Sequence, residues 1–140
     1  MRKIDERTYV SGQVDPADLP AIKAAGVAMI VNNRPDGEEP GQPAAAAIEA
    51  AARAAGLDYR FIPVASGFSA DQVDAMTEAL DAAEGPVLAF CRSGTRSTLL
   101  WSLAQAQGGR APDEIAADAA RAGYDVTPIR PLLERLAARA

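Results

Sequence analysis

Short apolar runs alternate along this chain with stretches of helical period, and that alternation predicts an α/β fold. Thr8–Val10 reads as a short strand ending at Ser11-Gly12. Asp15-Pro16 opens a helix running to about Ala25, with Gly26 behind it as the C-terminal stop. Val27–Val31 is apolar at every position, the pattern of a strand covered on both faces. Residues 32–43 read as a loop containing an Arg34-Pro-Asp-Gly37 turn. A helix over Ala44–Ala55 stops at Gly56, and Asp58–Val64 contains the next strand. Ser69 with Gln72 forms a capping box, starting a helix whose Val73, Met76 and Leu80 share one face. Gly85-Pro86 ends it and launches the apolar run Val87–Phe90. Helices over Ser97–Gln107, Pro112–Ala122 and about Pro128–Ala138 complete the chain.

These elements predict a single domain over residues 1–140, a three-layer α/β unit with a central parallel sheet of about four or five strands. Helices are expected on both faces, because Val27–Val31 and Val87–Phe90 have no polar side. Functional residues should gather at the carboxyl ends of the strands. Composition qualifies the core: the 32 alanines leave only 36 larger apolar residues, so close Ala-mediated helix packing must supply the rest. Trp101 is expected in that core, beside Leu100 on a helix that must pack on the sheet.

A net charge of −5 and a pI near 4.7 argue against a general nucleic-acid or membrane-surface role. No apolar run approaches the ~18 residues of a membrane span. Met1–Arg7 is charged with no apolar stretch behind it, so no signal peptide is expected. A lone free cysteine suits the reducing cytosol, and cytoplasmic location is the expectation. Twelve Arg against two Lys, with so much Ala, points to a bacterial, GC-rich source.

The chain has no histidine and one cysteine, Cys91. That excludes a Ser-His-Asp triad, a Cys-His pair, an imidazole metal ligand, a four-cysteine zinc site and an internal disulfide. No metal or cofactor is expected. The informative segment is Cys91-Arg-Ser-Gly-Thr-Arg96-Ser97. A cysteine ends a buried strand, a short loop with Gly94 at its centre follows, and an Arg closes the loop as a helix begins. Strand, tight loop and helix turn backbone N–H groups inward, and the helix dipole adds positive potential there. Gly94 lets the backbone turn without a Cβ clash, and Arg96 can close over an anion with its planar fork. A helix N-terminus and a nearby cation bring a thiol from about 8.5 to roughly 3.5–7.5. A cysteine so placed needs no histidine base.

Cys-x-x-Gly-x-Arg-Ser resembles the active-site loops of rhodaneses and cysteine phosphatases. The wider set is more specific: Ser11-Gly-Gln13, Asn32-Asn-Arg-Pro-Asp-Gly-Glu38, Gln42-Pro43, Tyr59–Val64, Gly85–Cys91 and Ala122-Gly-Tyr124. Together these resemble the phosphatase-like domain of the β-lactamase hydrolase-like protein family. The resemblance implies a fold like that of dual-specificity phosphatases. Family members are variously named phosphatases and sulfur transferases. Larger relatives are fused to a metallo-β-lactamase-like domain, which implies such a persulfide-processing partner here.

Two departures separate the chemistries. Cysteine phosphatases carry His-Cys-x₅-Arg, whereas Phe90 precedes Cys91 and only Arg92 to Thr95 lie between Cys91 and Arg96. A shorter ring offers fewer N–H donors and suits a single sulfur atom rather than three phosphoryl oxygens. Dual-specificity phosphatases also place an Asp general acid after the strand equivalent to Arg60–Val64. Here Ala65-Ser-Gly-Phe68 carries no carboxylate, and Asp71 and Asp74 fall in the following helix, where they complement its dipole. Sulfite leaving from thiosulfate needs no acid.

The first expectation is therefore a sulfurtransferase. Cys91 takes sulfur from thiosulfate or a persulfide, holds it under the N–H groups of residues 92 to 96, and passes it to a thiophile. Arg92 would attract the anionic donor or pair with acidic neighbours. Ser93, Thr95 and Ser97 would bond the sulfur or an oxyanion, or serve as local caps. The alternative is a phosphatase working through a Cys91 phosphocysteine on a phosphate ester, with Asp36 as general acid and Arg34 on substrate oxyanions. Asp36 also reads as an Asp-Gly turn residue and Arg34 as a loop salt bridge. A third class is a binding module whose loop only recognises an anion or a partner.

Overall fold

The computed structural model describes residues 1–140. Five strands form one sheet: β1 (Arg2–Asp5), β2 (Thr8–Ser11), β3 (Met29–Asn32), β4 (Asp58–Phe61) and β5 (Val87–Phe90). Their order is β1-β2-β5-β3-β4. Strands β2, β5, β3 and β4 run parallel, but β1 pairs antiparallel with β2. The expected central parallel sheet is present in four strands, and β1 adds an antiparallel fifth at one edge. β1 escapes the apolar-run pattern because Arg2 and Lys3 are exposed and only Ile4 is buried. Its place comes from the hairpin with β2 and from Arg2, whose Nη1 donates to the Ala122 carbonyl at 2.8 Å.

Side-chain alternation along the central strands makes two cores, one per face. Met29, Val31, Val87 and Ala89 point into a 23-residue cluster with α3 (Ala70–Ala82), α4 (Thr95–Gln107), α5 (Pro112–Arg121) and α6 (Arg130–Arg139). Ile30, Leu88 and Phe90 point into a 10-residue cluster with α1 (Leu19–Ala24) and α2 (Ala45–Ala54). The three-layer α/β arrangement is the expected one, with helices on both faces of the sheet. Trp101 is fully buried in the larger cluster, with the Arg110 guanidinium 5.7 Å from its ring centroid.

Prolines set most of the boundary differences. The expected helix from Pro16 divides into a 3-10 turn, Pro16–Asp18, and α1, because Pro20 has no N–H and fits only a first turn. Pro128 and Pro131 divide the last helix in the same way. The Ser69/Gln72 capping box forms reciprocally: Gln72 N–H donates to Ser69 Oγ at 3.1 Å, and Ser69 N–H to Gln72 Oε1 at 2.8 Å. No helix is long and apolar enough to cross a membrane.

The register decides where chemistry can occur. Ser11, Phe90, Asn32 and Phe61 lie side by side across the four parallel strands. Every loop leaving that row emerges on the same edge: Gly12-Gln13, Cys91–Gly94, Asn33–Glu39 and Ile62–Phe68. β5 sits between β2 and β3, so its loop lies at the middle of that edge.

Candidate active site

Cys91 is the first residue past β5 and is 1% exposed. Its N–H donates to the Ser11 carbonyl at 3.4 Å, carrying the β2–β5 pairing one step into the loop. Gly94 then adopts φ +92°, the left-handed region. This turns the Gly94 N–H onto Cys91 Sγ at 3.1 Å. The reversal also starts α4 at Thr95, two residues before the expected Ser97, so Arg96 stands in the first helical turn.

Three loop carbonyls are held outward by donors from three elements. Gln13 N–H, after β2, donates to Arg92 O at 3.3 Å. The Tyr124 hydroxyl, after α5, donates to Ser93 O at 3.1 Å. Thr98 of α4 donates to Gly94 O from its N–H at 3.0 Å and its Oγ1 at 2.9 Å. With the carbonyls turned out, the Gly94 N–H faces Sγ, at the N-terminus of α4. Gly12 allows the close approach of β2's end, since a Cβ there would stand 2.9 Å from Arg92 O.

Arg96 docks on Glu38. Its Nη1 donates to Oε2 at 2.7 Å and its Nη2 to Oε1 at 2.8 Å, while Nη1 also donates to the Val64 carbonyl at 2.7 Å. Three of the five guanidinium N–H groups are thereby engaged. The remaining donors are Nε–H and one hydrogen of Nη2, neighbours along one edge of the plane. That edge can take two oxygens of a single oxyanion. Arg96 is pushed above the ordinary Arg value, first by the Glu38 hydrogen bond and further by charge and hydrogen bonding from Cys91. Glu38 is lowered to about 2, foremost by its hydrogen bond from Arg96 and also by Arg34, while desolvation opposes them.

Of the two roles expected for Arg34, the structure shows the loop salt bridge and not the oxyanion contact. Arg34 is 4% exposed, and all three of its nitrogens are occupied. Nε donates to Glu38 Oε1 at 2.9 Å, Nη1 to Gln13 Oε1 at 2.9 Å and Nη2 to Glu39 Oε1 at 2.7 Å. It braces the residues around Arg96, and its burial keeps it from a substrate. Arg92 is exposed and pairs with Glu39 Oε1 at 3.0 Å from Nε.

Ser97 is likewise corrected as an anion ligand. It is fully buried, and its Oγ donates to Asn33 Oδ1 at 2.8 Å. Asn33 Nδ2 donates onward to the Ile62 carbonyl at 2.9 Å, so the pair ties α4 to the loops after β3 and β4. Ser93 and Thr95 are exposed, with their hydroxyls 3.3 Å apart. Asp36 is exposed at the start of α2, where its Oδ1 accepts from the Ala45 N–H at 2.7 Å. That contact is a helix cap. No group of three or more His, Cys, Asp or Glu side chains is placed to hold a metal ion.

The structure adds Gln13, Asn33, Glu38 and Tyr124 to the residues picked out from the sequence. All four fall in the motifs that carried the family resemblance. Nothing local marks their roles, because each acts on a residue at least 21 positions away except through Arg34–Glu38.

A family model described as the β-lactamase hydrolase-like protein, phosphatase-like domain, matches residues 1–108. The chain belongs to this family. It is 42% identical over 139 residues to the β-lactamase hydrolase-like protein of Agrobacterium fabrum, which covers 97% of this chain and 32% of that protein. The chain thus spans about a third of that curated relative's length. Among solved structures, a candidate phosphatase of Neisseria meningitidis superimposes with a TM-score of 0.83 at 36% identity, covering 96% of each chain. One from Shewanella putrefaciens gives 0.77 at 24% identity, covering 99% of this chain and 91% of its own, and supports the fold alone. The family and its neighbours are phosphatase-like. They favour the hydrolase alternative, and the sulfur-transfer expectation finds no counterpart among them.

Proposed function

We propose that this chain is a cysteine-dependent phosphatase acting on a small phosphate ester. The observation that carries the proposal is the Gly94 N–H at 3.1 Å from Cys91 Sγ, inside a loop closed by Arg96. The Cys91 thiolate attacks phosphorus, the S–P bond forms and the P–O bond to the leaving group breaks. Inward N–H groups and the free edge of Arg96 hold the phosphoryl oxygens as charge shifts onto them. Water then attacks the phosphocysteine, the S–P bond breaks, and inorganic phosphate leaves with the thiolate restored.

Two observations favour sulfur transfer as a second reading. Only four residues separate Cys91 from Arg96, and no carboxylate lies in Ala65–Phe68. A ring this small suits a single sulfur on Cys91, taken from thiosulfate with sulfite as leaving group.

Two measurements on one preparation decide between them. Hydrolysis of an aryl phosphate that vanishes in Cys91→Ser supports the phosphatase. Gain of one sulfur atom by Cys91 on incubation with thiosulfate, seen by mass spectrometry without aryl phosphate turnover, overturns it in favour of sulfur transfer.

A further inference from the structure

We propose that Tyr124 is a positioning residue for Cys91: by donating to the Ser93 carbonyl, its hydroxyl fixes the Ser93–Gly94 peptide so that the Gly94 N–H stays aimed at Sγ. This rests on the reading of Cys91 as the nucleophile. The two contacts share one rigid unit. A peptide is planar, with C=O and N–H pointing in opposite directions. Tyr124 holds the C=O end at 3.1 Å, and the N–H end meets Sγ at 3.1 Å. Fixing one end therefore fixes the other.

Tyr124 is the removable pin. The neighbouring carbonyls of Arg92 and Gly94 both take backbone N–H groups, from Gln13 and Thr98. No backbone donor reaches Ser93 O, which depends on the phenol. Gly94 fits this contact closely, because a Cβ there would overlap the Tyr124 hydroxyl.

The ring is itself held in place. The Arg2 guanidinium of β1 lies 5.8 Å from the ring centroid, and its Nη1 bonds the Ala122 carbonyl two residues before Tyr124. The charged groups acting on the phenol are Arg2 and Cys91. Burial pushes the phenol up, Arg2 opposes this, and Cys91 adds to it. The hydroxyl keeps its proton at neutral pH and stays a donor. The edge strand that the apolar pattern missed thus supports the nucleophile through two contacts.

The test is Tyr124→Phe, which keeps the ring and removes only the hydroxyl. Cys91 is the only thiol, so alkylation by iodoacetamide reports on it alone. A loosened Gly94 N–H supports the thiolate less, so Y124F should alkylate about fivefold more slowly near pH 6.5, with the deficit closing by about pH 9. Turnover of an aryl phosphate should fall about tenfold in kcat, with KM within about threefold. A purely structural tyrosine would instead open the loop and speed alkylation at both pH values; that result, or no change at either, overturns the proposal. If the wild type shows no Cys91-dependent phosphate turnover, the phosphatase reading falls while the alkylation comparison still decides the role of Tyr124. Should Y124F not fold, Arg2→Met carries the same test: a smaller deficit of the same pH dependence supports the proposal, and none overturns it.

Discussion

Arg96 and Glu38 meet fork to fork across 58 residues of sequence, joining the loop after β3 to the first turn of α4. The pairing fixes which edge of Arg96 remains for a ligand. Glu38 also receives Nε of the buried Arg34, so one carboxylate aligns two guanidinium groups. Arg34 is anchored in turn by Gln13 and Glu39. Substrate recognition by Arg96 therefore depends on a carboxylate that need not touch the substrate.

Glu38→Gln should separate orientation from charge. The amide keeps the shape but offers Arg96 a single acceptor oxygen and leaves Arg34 short of a counter-charge. Unfolding free energy should drop by about 1–2 kcal/mol, discounted for the partial exposure of the pair. An aryl phosphate should show a raised KM together with a lowered kcat, since a wandering Arg96 serves neither the ground state nor the transition state. Urea denaturation and steady-state kinetics on the same variant check both outcomes. Unchanged kinetics alongside the stability loss would confine Glu38 to a structural role.

Acid stability carries the mark of the same pair. Glu38 is depressed from its ordinary 4.5 to about 2, chiefly by the Arg96 hydrogen bond. A depressed carboxylate binds its proton more readily in the unfolded chain, so its contribution is complete above about pH 4.5. It is lost as pH falls from there to about 2. Stability measured against urea at successive pH values should decline through that window, and Glu38→Gln should flatten the decline. Equal slopes in the two proteins would show that other carboxylates dominate acid unfolding.

What was legible in the sequence was local. Val87–Phe90 and the Ser69/Gln72 cap depend on neighbours within a few residues, and both appear where the pattern put them. The Cys91–Gly94–Arg96 loop was legible for the same reason, since six adjacent residues make it. Partners distant in sequence were not. The loop salt bridge of Arg34 was open to reading because Glu38 and Glu39 follow within five residues, but nothing near Arg34 says that Gln13 will join them or that Glu38 will also take Arg96 from 58 positions away. Ser97 looked free to bond an anion because its acceptor, Asn33, arrives from the loop after β3. β1 was hidden because a charged edge strand with one buried side chain has no pattern of its own.

Gly94→Ala should be among the most damaging single changes. Residue 94 sits at φ +92°, which costs an L-residue roughly 1–2 kcal/mol. The added Cβ would also overlap the Tyr124 hydroxyl and lie 3.3 Å from the Ser11 carbonyl. Relieving these strains moves either the Gly94 backbone or the Tyr124 ring that holds the Ser93–Gly94 peptide, and either shift loosens the Gly94 N–H from Sγ. Thermal unfolding should shift down, and aryl phosphate turnover should fall by more than the folded fraction explains. Activity close to wild type would mean that the 3.1 Å contact to Sγ is dispensable.

No carboxylate in the site is free to give the leaving group its proton. Asp36, the acid that the phosphatase alternative called on, caps α2 through Ala45. Glu38 and Glu39 are ion-paired to arginines, and Ala65–Phe68 has no carboxylate. A site without a carboxylic acid to protonate the departing oxygen must rely on leaving groups that depart as anions. Rates should then rise steeply as the leaving phenol becomes more acidic, and alkyl phosphates should be poor substrates. Asp36→Asn should leave the aryl phosphate kcat within about twofold, while a weakened cap costs at most about 1 kcal/mol of stability. A series of substituted phenyl phosphates measured with wild type and D36N checks both. A leaving-group dependence that is shallow in wild type and steep in D36N would restore Asp36 as the general acid, with its contact to Ala45 broken in the working enzyme.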